Sequence, residues 1–295
     1  MKPLPNALLR IAKHLNYKRT FLARDCTRVD VPCIPYEAFE FTGTKINPWY
    51  IQTLIGAVRS VSFSKYADDK IPPRSTLDFH DILENYFIFI IGVTMDIKRP
   101  FHDFETPKAP LYVVEKLKYL GKTSKTLTYD IRHGNTDELY VSCDITDVLV
   151  STKSRKPTAY PDWWLQKHGD LVTEEKAKFA EEPLPNNEPF SSVISVKSSD
   201  IDTYQHTNWA SYLKFCYESF TDHTLTNSYK RMNKAHLSNG LKSCSMIYKN
   251  ETNLGDTLNV KSWESDADDD KVIFNVLKDD KVCLYCNMKF FNTFE

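Results

Sequence analysis

The sequence predicts an α+β protein made of two similar halves, each with one long helix followed by an antiparallel series of strands. Two observations predict this fold class. Apolar residues recur at helical spacing in two stretches, one beginning near Trp49 and the other at Trp209. Each stretch is followed by short segments of alternating or β-branched residues that are separated by turn signals. We therefore expect two helices, each wrapped by its own sheet.

In the first half, a predicted strand at residues 36–41 leads into the helix that starts near Trp49. Pro48 suits the first helical turn, where its missing N–H is harmless. The apolar stripe of this helix consists of Tyr50, Leu54, Ala57, Val58 and Val61. Three strands are predicted to follow it, at residues 111–120, 124–132 and 139–151.

The second half repeats this plan. A predicted strand at residues 191–197 enters a polar loop at 200–208, and the helix that follows has one apolar face. That face consists of Trp209, Tyr212, Leu213, Cys216 and Phe220. Four strands are predicted after the helix, at residues 242–248, 257–264, 271–277 and 282–291.

A change of composition separates the halves. Residues 174–182 are highly charged and predict a short helix, and residues 183–189 are rich in proline and asparagine, which indicates a connector. We therefore divide the chain into a basic N-terminal segment, a first domain, a linker and a second domain. Their boundaries are residues 1–29, 30–165, 166–189 and 190–295.

Composition excludes several classes of function. The 38 Lys and Arg residues nearly balance the 39 Asp and Glu residues, so no basic surface for nucleic acid is expected. No stretch reaches the ~18 apolar residues of a membrane helix. The seven cysteines are scattered, which argues against a disulfide framework and favours the cytoplasm. Cys283 and Cys286 lie on one predicted strand without a second cysteine pair, so we expect no metal site.

The N-terminus leaves a second localisation open. Residues 1–24 contain six Lys and Arg residues and no acidic residue, and apolar residues recur there at roughly helical spacing. Such a segment is typical of a mitochondrial presequence, although this one lacks serine. A basic helix that leads into the first domain is the simpler alternative.

The loop at residues 200–208 is the one stretch that points to chemistry. Asp202 and His206 lie just before the second long helix, whose N-terminus presents unpaired N–H groups and partial positive charge. Such a terminus can polarise a carbonyl oxygen, while a carboxylate and an imidazole activate water against it. The alternative for Asp202 is a purely structural cap or Asx turn. No Gly-x-Ser-x-Gly motif supports a serine hydrolase.

Several motifs carry a resemblance to a known family. Residues 200–213 read DIDTYQHTNWASYL, and residues 248–256 read YKNETNLGD. The first segment is similar to the pattern D-x-D-x-N-x-H-x-N-N-x-x-Y-[IL] of hotdog-fold thioesterases. Residues 114–124 and 152–161 resemble a strand pair and its exit in such domains. The layout over residues 30–291 resembles the double-hotdog acyl-ACP thioesterases most.

The resemblance implies a tandem hotdog fold that hydrolyses a fatty acyl thioester, on CoA or an acyl carrier protein, to a free acid. It implies no metal, no cofactor and no serine nucleophile. Position by position, the family's catalytic residues fall on Asp202, His206 and Glu251. Tyr204, Asn208 and Trp209 fall on positions that we expect to contact the substrate. Asn208 also suits a structural role in the first helical turn.

The chain departs from the family pattern at specific positions. Tyr204 and Trp209 each replace an asparagine. The first half lacks the catalytic set, because Thr44, residues 47–49 and residues 121–122 occupy the equivalent places. We expect that half to shape an acyl pocket, with Trp49 and Tyr50 as candidate lining residues.

Two alternative functions stay open. An inactive protein that binds acyl thioesters would keep the pocket and lose turnover, and Tyr204 favours this alternative. A hotdog 3-hydroxyacyl dehydratase would need a complementary acid or histidine that the first half does not offer. A homodimer is compatible with the sequence but is not required by it.

Overall fold

The computed structural model describes residues 5–40, 45–65, 74–171, 179–185 and 187–292. The described residues form two compact units. The first unit draws on the ranges 1–38, 53–91 and 107–178, and the second unit draws on 39–52, 92–106 and 179–295.

The strands of the first unit form a sheet with antiparallel pairing from its first strand to its last but one. In chain order they are β1 (Lys18–Phe21), β2 (Cys26–Val31), β3 (Tyr86–Ile97), β4 (Leu111–Leu120), β5 (Ser124–His133) and β6 (Leu139–Ser151). Their order across the sheet is β1-β2-β4-β5-β6-β3, and β3 belongs to the second unit from Gly92 onward. Along β5, Leu127, Tyr129 and Ile131 are fully buried, as the period of two in the sequence predicts.

The first long helix, α1 (Pro48–Phe63), begins one residue before its predicted start. Leu54, Val58 and Val61 of the predicted stripe are buried, and so is Ile51 outside the stripe. A helix that is apolar around most of its circumference is enclosed by protein rather than lying on a surface. This half of the chain also contains two short α-helices, α2 (Phe79–Leu83) and α3 (Asp162–His168), and a 3-10 helix at Pro5–His14.

Some predictions for the first half were wrong. The described residues of the predicted strand 36–41 form a 3-10 turn at Tyr36–Ala38, because the N–H of Ala38 donates to Pro35, and Phe39 makes a single bridge to Ile46. β1, β2 and β3 were not predicted as strands at all. Thr44 lies outside the described residues, and the described part of the predicted helix at 174–182 is not helical.

The second unit repeats the plan with the predicted strands in place. They are β7 (Phe190–Ser195), β8 (Leu241–Tyr248), β9 (Thr257–Glu264), β10 (Lys271–Lys278) and β11 (Lys281–Phe290), in the order β3-β8-β11-β10-β9-β7. The long helix is α4 (Trp209–Leu225), and the short helix α5 (Lys234–Asn239) follows it. Phe220 of α4 stacks on Phe290 of β11 with 4.1 Å between ring centroids, so the apolar face of α4 packs on this sheet as expected.

No helix among the described residues is both long enough and apolar enough to cross a membrane.

The core of the first unit contains buried charges that the sequence does not reveal. The Asp147 carboxylate on β6 accepts hydrogen bonds from Arg59 Nη2 at 3.0 Å and from Lys125 Nζ. Glu115 on β4 accepts one from the Ser62 hydroxyl at 2.8 Å. The side chains of Lys125, Glu115 and Asp147 are fully buried, and Arg59 is nearly so. These charges join α1 to three strands of its sheet.

Burial has opposite effects on two groups of this cluster. It raises the pKa of the Glu115 carboxyl, which the Ser62 hydroxyl and Arg59 partly oppose. It lowers the pKa of Lys125 to about 8, and Asp147 opposes that shift. Asp147 is therefore the anion on which both buried cations depend.

We predict that Asp147→Asn lowers the free energy of unfolding by roughly 3–5 kcal/mol, because it leaves Arg59 and Lys125 buried without their anion. Glu115→Gln is the matched control in the same cluster. The native pKa of Glu115 lies above its unfolded value, so its stabilising contribution is present at low pH and is lost as the pH rises through the native pKa. Glu115→Gln should therefore gain stability relative to wild type as the pH rises. Urea unfolding at several pH values checks both, and equal effects of the two substitutions would contradict the assignment.

Candidate active site

The N-terminus of α4 is held by side chains and by neighbouring backbone. Asn208 caps the helix, since its side chain accepts a hydrogen bond from the Ala210 N–H at 2.9 Å. The Asn208 N–H donates to the Asp200 carbonyl at 2.7 Å, and the Thr207 N–H donates to the Thr252 carbonyl at 2.8 Å. The structure therefore places Asn208 in a capping position, which is the structural role that the sequence allowed.

One backbone donor at this terminus stays open. The Ser211 N–H donates to the Asn208 carbonyl at 2.9 Å, so residues 207, 208, 210 and 211 all have acceptors. No group among the described residues accepts from the Trp209 N–H. Trp209 is the first residue of α4, and its carbonyl accepts a hydrogen bond from the Tyr248 hydroxyl at 3.0 Å. An open N–H at the positive end of a helix is suited to bind a carbonyl oxygen.

Asp202 closes the loop in front of the helix. Its Oδ1 accepts hydrogen bonds from the N–H groups of Tyr204 at 2.8 Å and His206 at 3.3 Å, while its own N–H donates to the His206 carbonyl at 2.9 Å. Gln205 adopts a left-handed conformation with φ 66°, which lets the chain turn back. Burial raises the pKa of Asp202, the two backbone donors and His206 oppose the shift, and Glu251 adds to it. The Asx turn and a chemical role are thus compatible in one residue.

His206 and Glu251 come together although 45 residues separate them in sequence. The His206 Nε2 lies 3.3 Å from Glu251 Oε2. The His206 side chain is 17% exposed and the Glu251 side chain is 50% exposed. Glu251 lies in the connection between β8 and β9 rather than within a strand. Asp202 is partly buried and Glu251 is exposed, so Asp202 is the more buried of the two carboxylates near His206.

Thr252 is a site residue that the sequence did not suggest. Its hydroxyl lies 2.6 Å from the Thr207 hydroxyl and 2.8 Å from the Tyr212 hydroxyl, and all three side chains are buried. A threonine next to an acidic residue in a loop has no signature of its own. The residues that contact Thr252 lie 40 or more positions away in the sequence.

Tyr204 is nearly buried, with 9% of its surface exposed, and its N–H forms part of the Asp202 turn. Burial beside the Asp202 loop places this departure from the family pattern inside the site.

The start of α1 shares one backbone hydrogen bond with the start of α4. The Tyr50 N–H donates to the Asn47 carbonyl at 2.9 Å, as the Ser211 N–H does to Asn208 at the start of α4. The residue after Asn47 is Pro48, which has no N–H. The open donor of Trp209 therefore has no equivalent at α1. The neighbouring Trp49 contacts Tyr217 of α4 edge-on, with 5.8 Å between ring centroids.

The residues that are described contain no group of three or more histidine, cysteine or acidic side chains arranged to hold a metal ion. Cys283 and Cys286 both lie in β11 and are buried, and burial raises the pKa of each thiol. All seven cysteines are free thiols.

The chain is similar to known proteins in sequence over one segment and in fold over most of its length. Residues 185–281 match the family model of the acyl-ACP thioesterase C-terminal domain. No curated protein sequence matches the chain significantly.

Solved structures resemble nearly the whole chain. A 12:0-ACP thioesterase from Umbellularia californica is 13% identical, with a TM-score of 0.67 over 92% of this chain and 99% of the other. A putative oleoyl thioesterase from Lactobacillus plantarum is 13% identical, with a TM-score of 0.64 over 94% and 98%. An acyl-ACP thioesterase from Bacteroides thetaiotaomicron is 16% identical, with a TM-score of 0.62 over 90% and 98%.

These matches confirm the predicted α+β double-hotdog fold and the predicted resemblance to hotdog thioesterases. The match of residues 185–281 to the acyl-ACP thioesterase C-terminal domain supports a thioester hydrolase. That segment contains Asp202, His206 and Glu251.

The capping role of Asn208 gives a test of stability. We predict that Asn208→Ala lowers the free energy of unfolding by about 1 kcal/mol, because the Ala210 N–H loses its acceptor. Asn208→Asp is the matched control, since aspartate caps helices as well as asparagine does. Chemical unfolding followed by circular dichroism measures both. Equal stability of Asn208→Ala and wild type would show that the cap contributes nothing.

Proposed function

We propose that the chain hydrolyses a fatty acyl thioester at the N-terminus of α4. One observation supports this proposal above the others, namely that Asp202, His206 and Glu251 surround a helix terminus with an open backbone donor. The arrangement supplies a site for a carbonyl oxygen and two kinds of acid–base group within one small region. Residues 190–295 then form the catalytic half, and residues 30–165 shape the acyl pocket.

The first step is recognition of the thioester carbonyl. Its oxygen accepts a hydrogen bond from the Trp209 N–H, and the helix dipole adds to the stabilisation. Negative charge develops on this oxygen as water adds to the carbonyl carbon, so the fixed donor binds the transition state more strongly than the substrate.

Asp202 is the proposed general base. Two backbone N–H groups hold its Oδ1, and no described residue donates to Oδ2, which leaves that oxygen available to accept a proton. Its raised pKa makes it a better proton acceptor than an ordinary aspartate. Asp202 takes a proton from the water as the C–O bond forms. The C–S bond of the tetrahedral intermediate then breaks, and the proton that Asp202 took from water passes through His206 to the leaving sulfur while Glu251 orients the imidazole.

The carrier is proposed from the compared structures. Two of the similar solved structures are described as acting on acyl groups carried by an acyl carrier protein, which favours acyl-ACP over acyl-CoA. The free thiols fit a reducing compartment, with the cytoplasm first and the mitochondrion as the alternative. Homodimer formation stays a prediction.

We predict that Asp202→Asn lowers kcat for acyl-thioester hydrolysis by roughly 10²-fold or more, because it removes the general base. The acid limb of the wild-type kcat/KM profile should lie above the pKa of an ordinary aspartate, since burial raises the pKa of Asp202. Glu251→Gln should lower kcat less and move this limb to lower pH, because the Glu251 charge contributes to the raised pKa. Thiol release from acyl-ACP and acyl-CoA panels, followed with a chromogenic reagent, measures all three.

If wild type and both variants are equally inert with all chain lengths on both carriers, the proposed function is wrong. Tight binding of acyl thioesters without turnover would then select the inactive binding protein.

We also predict that Trp209→Pro lowers kcat by about 10²–10³-fold, because proline lacks the N–H that holds the oxyanion. Proline suits the first residue of a helix, and Asn208 before it already has φ −59° and ψ 137°, which proline requires of its predecessor. Trp209→Ala is the control, since it removes the ring and keeps the donor. If the two variants lose activity equally, the indole rather than the N–H is needed.

A further inference from the structure

The loop that carries Glu251 is joined to α4 through Thr252. The Thr207 N–H donates to the Thr252 carbonyl at 2.8 Å, and the Thr207 hydroxyl lies 3.1 Å from the same carbonyl. The two threonine hydroxyls lie 2.6 Å apart, and the Tyr212 hydroxyl lies 2.8 Å from that of Thr252. The loop is thus fixed both just before α4 and within its first turns.

These contacts have a single consistent direction. A carbonyl oxygen can only accept, so the Thr207 hydroxyl donates to the Thr252 carbonyl. Each hydroxyl has one hydrogen, so the Thr252 hydroxyl donates to that of Thr207, and the Tyr212 hydroxyl donates to that of Thr252. The result is a chain of donors from Tyr212 through Thr252 to Thr207 that ends on the backbone beside Glu251. Such a chain is stronger than its separate bonds because each member polarises the next.

Glu251 needs this support because its own contact is weak. Its side chain is half exposed, and its ion pair with His206 at 3.3 Å is of the kind that contributes little by itself. Thr252, by contrast, is fully buried. Fixing the backbone of residue 252 restricts where the side chain of residue 251 can reach.

We propose that Thr252 is a positioning residue that holds Glu251 against His206 through this chain of hydroxyl groups. The proposal rests on the proposed function, because Glu251 matters there by orienting the imidazole. Thr252 acts through its neighbour and does not touch the substrate.

Thr252→Val tests the proposal, since valine keeps the shape of the side chain and removes the hydroxyl. We expect kcat to fall by roughly 10-fold to 10²-fold with KM unchanged, because a small displacement of an orienting group slows the chemical step. Thr252→Ser should restore kcat. Tyr212→Phe, which removes only the first donor, should give a smaller loss in the same direction and serves as a second variant if Thr252→Val fails to fold.

Thr27→Val is the matched control. The hydroxyls of Thr27 and Thr76 lie 2.7 Å apart and both residues are buried, but Thr27 belongs to β2 of the first unit and lies outside residues 30–165. This variant loses the same kind of buried contact and should keep wild-type kcat. Equal losses of kcat in Thr27→Val and Thr252→Val, or full activity of Thr252→Val, would overturn the proposal.

A second readout does not need activity. The Thr207 N–H donates to the Thr252 carbonyl, which valine keeps. Loss of the hydroxyl contacts should loosen that carbonyl, so amide hydrogen exchange of Thr207 should accelerate in Thr252→Val and not in Thr27→Val. If wild type hydrolyses no thioester, the proposed function fails while the exchange data still decide whether Thr252 anchors the loop. If wild type is active and exchange at Thr207 is unchanged in Thr252→Val, the positioning role fails alone.

Discussion

A buried helix must have partners for the backbone groups at its ends, and the candidate site depends on how α4 meets this constraint. The acceptors around its first turn come from Asn208, Asp200 and Thr252. Trp209 alone keeps a donor that no described group uses. Since the capped neighbours are rigid, that donor has a fixed direction, and fixed dipoles stabilise developing charge without reorganising. The hydrogen bonds that stabilise the N-terminus of α4 thus also orient the donor on which the proposed chemistry depends.

The two long helices differ in the residues at their N-termini and in the side chains that pack them on their sheets. The start of α1 repeats the asparagine of α4 but places Pro48 where Trp209 stands. The interior also differs, because α1 meets its sheet through Arg59 and buried carboxylates, whereas α4 meets its sheet through stacked aromatic rings. The two halves therefore share their fold and differ in the groups at the start of each long helix and in how each helix meets its sheet.

The sequence predicted well what local patterns determine. The strands after each long helix, the starts of both helices and the polar loop before Trp209 follow from periodicity and turn residues. β1 escaped prediction because its short polar sequence is stabilised by pairing with β2 rather than by its own pattern. The approach of Glu251 to His206 was expected only through the family resemblance, and Thr252 was missed because its partners are remote in sequence. The greater burial of Asp202 than of Glu251 also could not be predicted from local sequence, because burial depends on tertiary contacts.

The charged interior of the first unit has a consequence for how this half can change over evolution. Arg59 and Lys125 share Asp147, so an apolar replacement of Asp147 leaves two buried cations without their anion, and replacement of either cation removes one of the two partners of Asp147. Replacement of such a cluster by apolar residues of similar volume is often neutral or stabilising, but several residues have to change together. Single substitutions within the cluster are therefore costly, which favours its retention.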